Sequence, residues 1–281
     1  MTVTTTWKNR VGAPEQFLRH WPVSTPRARL ILIHGFGEHS GRYGHVADAL
    51  NARGVDVTSF DLRGHGESGG TRVFIERFDD YLDDVASVLE NVEAASSGEP
   101  LFLLGHSMGG QIAALFALER DPTIAGLILS SPAMGFAVKV PAWKAVAGQF
   151  FSRVIPKRAL PSGLDRNLLS HDPRVAEALD ADPLAERNAT ARWYTESLAA
   201  QTLALEKAPS LSVPLLSLVS GADEITDVAA THRFHEAAGS TDKEWIEYEE
   251  LYHELFNEVE REKVLTDLAD WIDGRLESEG P

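Results

Sequence analysis

Residues 101–118 constrain this chain more than any other stretch. Leu101-Phe102-Leu103-Leu104 is an uninterrupted apolar run of strand length, and Gly110-Gln111-Ile112-Ala113-Ala114-Leu115-Phe116-Ala117-Leu118 reads as a helix. Gly105-His106-Ser107-Met108-Gly109 lies between them, which leaves room only for a sharp strand-to-helix turn with a serine at its apex. The flanking glycines fit such a turn, because neighbours two residues away must not clash. A serine placed this way presents its hydroxyl at the positive end of a helix, where negative charge developing on a substrate oxygen can be held.

The surrounding pattern supplies the sheet that such a turn needs. Leu30-Ile31-Leu32-Ile33, Val55-Asp56-Val57-Thr58-Ser59-Phe60, the run at 101, Ile124 to Ser130 and Leu215-Leu216-Ser217-Leu218-Val219-Ser220 read as strands. Helical runs at His45–Arg53 and Asp79–Glu93 alternate with them, the second with Tyr81, Val85, Val88, Leu89 and Val92 at helical spacing. This rhythm predicts a mostly parallel central sheet with helices on both faces. Two alternating stretches in the first thirty residues predict an antiparallel edge. Between Ala133 and about Ser212 the rhythm breaks, no strand is expected, and three or four helical segments are punctuated by prolines. The expected organisation is therefore an α/β core at 1–132 and 212–281, with a helical cap inserted at 133–211 over the strand ends, where ligands bind in open parallel sheets.

A serine nucleophile of this kind needs a base and an orienting acid later in the chain, in the order serine, acid, histidine. The strand at 215 ends in Gly221-Ala222-Asp223, and His253 sits in the loop before the last helix. His34, His39, His65 and His106 precede Ser107 and fail the ordering. His171 falls in the inserted stretch, and His232 and His235 are expected on a solvated helix face. Asp223 is favoured over Asp227, which has the position of a helix N-cap. The oxyanion donors are expected to be the backbone N–H of Met108, after the nucleophile, and of Phe36, in the glycine loop after the first core strand.

Forty-two acids against 26 bases give a net charge of −16, which argues against nucleic acid as a partner. There is no cysteine, so thiolate metal sites, cysteine nucleophiles and disulfides are excluded. No apolar run is long enough to span a membrane, and the first residues lack the features of a signal peptide. A cytoplasmic location is expected. From Ala133 to Leu164 there is no acid, while Lys139, Lys144, Arg153, Lys157 and Arg158 stand among Phe136, Val140, Trp143, Val146, Phe150, Phe151, Val154 and Ile155. Such a basic-apolar stretch can lie transiently in a membrane interface, or it can line an acyl tunnel.

His34-Gly35-Phe36-Gly37-Glu38-His39-Ser40-Gly41-Arg42-Tyr43, Asp61 to Ser68 and Gly105 to Gly110 together resemble the monoglyceride lipase and lysophospholipase group of the α/β-hydrolase superfamily. The resemblance covers nearly the whole chain, with the inserted stretch matching weakly. It implies Ser107 as nucleophile, Asp223 as acid, His253 as base, and polar contacts from Arg42 and His106 to the glycerol of a substrate. Leu179 stands near the Asp182-Pro183 pair where relatives often carry a tyrosine hydroxyl. The activity implied is hydrolysis of a lipid ester, most simply a monoacylglycerol, with lysophospholipase or general carboxylesterase as alternatives. No metal or organic cofactor is needed. Dehalogenases and epoxide hydrolases of this fold use an aspartate nucleophile, which Ser107 argues against. A scaffold or receptor without turnover would usually lack a triad member, and none is missing.

Overall fold

The computed structural model describes residues 2–7, 13–137 and 142–278. From the N-terminus come β1 (Val3–Trp7), β2 (Gln16–Trp21), β3 (Ala28–Ile33), α1 (Gly44–Asn51), β4 (Val55–Phe60), α2 (Asp79–Ala94), β5 (Leu101–His106), α3 (Met108–Arg120) and β6 (Gly126–Ser130). An inserted segment follows, with α4 (Ala142–Val154), β7 (Ala159–Pro161), α5 (Pro173–Ala181), β8 (Asn188–Thr190) and α6 (Ala191–Lys207). The chain then returns through β9 (Leu215–Ser220), α7 (Val228–Ala237), β10 (Lys243–Tyr248) and α8 (Arg261–Ser278).

Eight strands form one sheet in the order β1-β2-β4-β3-β5-β6-β9-β10. β1 pairs with β2 and β2 with β4 in antiparallel fashion, and every other pairing is parallel. Successive side chains of a strand point to opposite faces. Leu30 and Leu32 of β3 accordingly pack with Val46 and Leu50 of α1 and Val264, Leu268 and Ile272 of α8. Ile31 and Ile33 pack on the other face with Tyr81 of α2, Ile112 of α3 and Phe234 of α7. Burial on both faces is why β3, β5, β6 and β9 read as continuous apolar runs. This is the α/β-hydrolase architecture expected from the sequence.

Four details differ from the expectations. The inserted segment holds a strand pair, β7 with β8, each three residues long and too short to leave a periodic signal. β10, Lys243-Glu244-Trp245-Ile246-Glu247-Tyr248, is a sheet strand with no expected counterpart, because as an edge strand it buries only Tyr248 fully. His235 is not on a solvated face. Its ring is buried, with Nδ1 3.0 Å from Ser217 Oγ of β9, while His232 is exposed as expected. Finally, α6 does not merely cover the strand ends, since Trp193, Ala200 and Ala204 belong to the same buried cluster as α3.

Candidate active site

The turn after β5 is built by exclusion. Ser107 has φ 54° and ψ −119°, a left-handed backbone that costs a non-glycine residue about 1–3 kcal/mol and persists only where the surroundings enforce it. Those surroundings are tight. A Cβ on Gly105 would lie 2.2 Å from the Gly109 carbonyl oxygen, and one on Gly109 would lie 2.2 Å from that of Ile33. Hydrogen bonds from Ser107 N–H to Ser130 O (2.9 Å) and from Ala133 N–H to Ser107 O (2.9 Å) hold the strained residue between β5 and β6.

The hydroxyl of Ser107 lies 2.8 Å from His253 Nε2, and His253 Nδ1 lies 2.7 Å from Asp223 Oδ2. An ionised carboxylate only accepts, so Nδ1 carries the proton and Nε2 is left to accept from Ser107. Asp223 also accepts from the N–H groups of Ile225 (2.8 Å) and Thr226 (2.9 Å) and from Thr226 Oγ1 (2.7 Å). Burial opposes its charge, but the imidazole and these donors outweigh burial and hold its pKa below the ordinary carboxylate value. For His253 burial works against protonation, and the Asp223 charge and hydrogen bond overcome it, raising the pKa above the ordinary imidazole value. Asp227 caps α7 by accepting from Ala230 N–H at 3.2 Å and does not contact His253.

Ser107 and His253 open into a cavity of about 350 Å³. Gly35, Phe36 and Met108 form its floor beside the serine. Met108 is the first residue of α3, so its N–H has no intrahelical acceptor. Leu164, Leu168, Leu169, Trp193 and Tyr194 of the inserted segment form much of the far wall. Trp193 locks this wall to the floor, its ring tilted against that of Phe36 with centroids 4.4 Å apart, and donates from Nε1 to Met108 Sδ at 3.2 Å. Glu38, Asp165, Glu224 and Glu254 also line the cavity, with no lysine or arginine among the described lining residues.

His106 lines the cavity with its ring 5.0 Å from that of His253; burial first and then His253 lower its pKa to about 4, so it faces the cavity uncharged. Arg42 does not line it. Its guanidinium is spent on Glu254, with bonds of 2.8 and 2.7 Å, and on Glu38 at 2.5 Å, and these two carboxylates stand between it and the cavity. Glu38 in turn accepts from Gly35 N–H (2.6 Å) and Tyr43 OH (2.6 Å). Burial alone would raise the pKa of Glu38, but Arg42 draws it down to about 2. Leu179 is buried in α5 outside the lining, and the phenol in the cavity is that of Tyr194. Glu38 lies within the 34–43 motif and Glu254 directly follows His253, but nothing local in the sequence marks either as cavity lining or as a partner of Arg42. Phe136 lines the cavity, whereas Phe150, Phe151, Val154, Ile155 and Leu160 are exposed on the outside of the inserted segment. Lys139 and Val140 lie outside the described residues, as do the side chains of Trp143, Lys144 and Val146.

A hydroxyl whose proton can pass to a carboxylate-oriented imidazole, at a helix N-terminus and in an apolar cavity, is equipped for nucleophilic acyl transfer. Residues 24–260 match the family described as Serine aminopeptidase, S33. The chain is 34% identical to the human protein named Monoglyceride lipase over 277 residues, covering 96% of this chain and 91% of that one. It is 35% identical to Phospholipase YtpA of Bacillus subtilis (strain 168) over 248 residues, covering 87% and 94%. Among solved structures, the Paleococcus ferrophilus monoacylglycerol lipase superposes with a TM-score of 0.84 at 31% identity, covering 93% of this chain and 99% of that one.

Proposed function

The chain belongs to the serine aminopeptidase S33 family of α/β-hydrolases, within its monoglyceride lipase group, and on that premise we propose that it hydrolyses monoacylglycerols to fatty acid and glycerol through an acyl-Ser107 intermediate. Residues 1–132 and 212–281 form the catalytic core in this reading, and 133–211 form the cap over it. His253 takes the proton of Ser107 as the oxygen attacks the ester carbonyl. The N–H groups of Phe36 and Met108 receive the oxyanion, and His253 passes the proton to the departing glycerol oxygen. Water then repeats the sequence on the acyl-enzyme, and Asp223 holds the imidazole throughout.

The Asp223–His253–Ser107 chain opening into the apolar cavity is the observation that carries the reading. The head group follows from charge. Four carboxylates, two of them paired with Arg42 behind the wall, and no lysine or arginine among the described lining residues favour a neutral polyol, whose hydroxyls donate, over a phosphate. That weighs monoacylglycerol above lysophospholipid, despite the name of the Bacillus relative. Fluorophosphonate labelling of Ser107 together with a panel of 1-monolauroylglycerol, lysophosphatidylcholine, trilaurin and nitrophenyl butyrate tests it. Faster turnover of lysophosphatidylcholine than of 1-monolauroylglycerol would reverse the assignment.

The outer face of the cap supports transient contact with a lipid surface. Phe150, Phe151, Val154, Ile155 and Leu160 are exposed together, and Arg153, Lys157 and Arg158 stand among them. The acidic remainder of the surface keeps that contact weak. Co-sedimentation of a Phe151→Ser/Val154→Ser variant with phosphatidylcholine vesicles equal to that of the unaltered protein would refute it.

A further inference from the structure

The histidine of this site sits in a loop between β10 and α8, and something must hold that loop to a fraction of an ångström. We propose that Glu258, which touches neither Ser107 nor Asp223 and does not line the cavity, is the positioning residue of His253 and couples it to the cap. The inference rests on the reading of His253 as the general base.

Glu258 is 1% exposed. Its carboxylate reaches back across the loop to accept from the N–H of Tyr252, the residue before His253, at 2.7 Å, and from Val259 N–H at 3.0 Å. Its other donors come from the cap. His171 Nδ1 lies 2.8 Å from Oε1, His171 N–H is 3.2 Å from each oxygen, and Ser170 Oγ lies 3.3 Å from Oε2. Burial disfavours the charge, and this ring of donors nevertheless holds the pKa of Glu258 below the ordinary carboxylate value. On the far side of the histidine, Glu254 N–H donates to Leu169 O at 2.8 Å, and Ser170 Oγ also lies 3.0 Å from Asn257 O. The His171 ring stacks on Tyr252 with centroids 3.8 Å apart.

The backbone N–H groups of the residues before and after His253, Tyr252 and Glu254, are thus fastened, one through Glu258 and one directly, to cap residues 169–171. Leu168 and Leu169 of that same cap segment form cavity wall. A cap seated over an acyl chain therefore also seats the base. A cap displaced outward would pull on the loop that carries it.

Glu258→Gln keeps the shape but replaces one accepting oxygen with an NH₂ that faces N–H donors. His171→Phe keeps the stack on Tyr252 and removes only the side-chain donor. Turnover of nitrophenyl butyrate is normalised to sites counted by exhaustive fluorophosphonate labelling, so unfolded protein does not enter. The expected result is a kcat lower by about tenfold to a hundredfold in Glu258→Gln and about fivefold in His171→Phe, with KM within about twofold, since displacement of a reacting group by about 1 Å costs on that scale. The low-field proton resonance of His253 Nδ1–H should broaden in both variants. Unchanged kcat per site with an intact resonance in His171→Phe, alone or with Glu258→Gln, would overturn the proposal. Absence of turnover in the unaltered protein would overturn the hydrolase reading, and the resonance would still decide the positioning role.

Discussion

Replacing Arg42 with methionine separates two uses of its guanidinium. If Arg42 binds glycerol, as the family resemblance implies, the change weakens substrate binding and leaves the fold alone. The structure points elsewhere. Arg42 lies between the side chains of Glu38 and Glu254, which are 4% and 6% exposed, and is the cation that both of them face. Burial penalises the Glu38 charge and Arg42 overcomes the penalty; holding that carboxyl at about 2 rather than 4.5 corresponds to about 3 kcal/mol. Breaking a buried pair by removing one partner costs about 3–5 kcal/mol, which agrees. For a chain of this size that loss should lower Tm by about 10 °C at pH 7. The pH dependence carries the signature. In the unaltered protein the depressed pKa of Glu38 contributes stability that is present above about pH 4.5 and is lost as pH falls toward 2. In the variant one of two unpaired buried carboxyls takes up a proton, so the gap in Tm between the two proteins should narrow from pH 7 to pH 5. Calorimetry at both pH values, beside kcat and KM for 1-monolauroylglycerol, makes the comparison. An unchanged Tm with a raised KM would refute the structural reasoning and restore Arg42 as a substrate contact.

Asp223→Asn should remove most turnover, because an amide in place of the carboxylate no longer fixes the Nδ1–H tautomer, whereas Asp227→Asn should stay near full activity and lose at most about 1 kcal/mol as an altered helix cap; the reverse pattern in a hydrolysis assay would transfer the acid to Asp227. Gly109→Ala should yield no folded, labelled protein on fluorophosphonate gels, since its Cβ would sit 2.2 Å from the Ile33 carbonyl oxygen and backbone at both ends cannot retreat. The acid limb of kcat/KM should have its midpoint above the ordinary imidazole value, because the Asp223 charge raises the His253 pKa despite burial and the base works only when neutral. In Asp223→Asn the residual activity should show that limb moved to lower pH, and an unmoved limb would exclude the carboxylate as its cause.

The turn at Ser107 is legible in the sequence because its constraints are local: a strand, two flanking glycines and a helix, all between Leu101 and Arg120. Asp223 is legible because it follows a strand end, and His253 because chain order puts the base last and it lies in the loop before the final helix. The pairing of Arg42 is illegible for the opposite reason. Its partner Glu254 lies 212 residues away, and no local pattern announces that a cation in a conspicuous motif has been neutralised from the far end of the chain. Glu258 is hidden in the same way, since its partner Tyr252 lies across the loop that carries His253 and its other donors sit in the cap. The strand β10 escapes notice because an edge strand alternates without an apolar run. His235 escapes because one ring on a mixed helix face gives no sign of which side is turned inward.

The insertion between β6 and β9 has a consequence for how the molecule comes into being. The serine turn is complete once β5, α3 and β6 have formed, but the strands that deliver its acid and base are made last, and β9 must find β6 across more than eighty residues of intervening chain before β10 can pair with it. Contacts of such separation form slowly, and domains made on ribosomes assemble from the N-terminus onward. A nascent chain released before β9 docks therefore carries a strained serine with no partner able to deprotonate it. Hydrolysis begins only when the final strands are in register, so the onset of esterase activity during refolding times the last long-range step of folding.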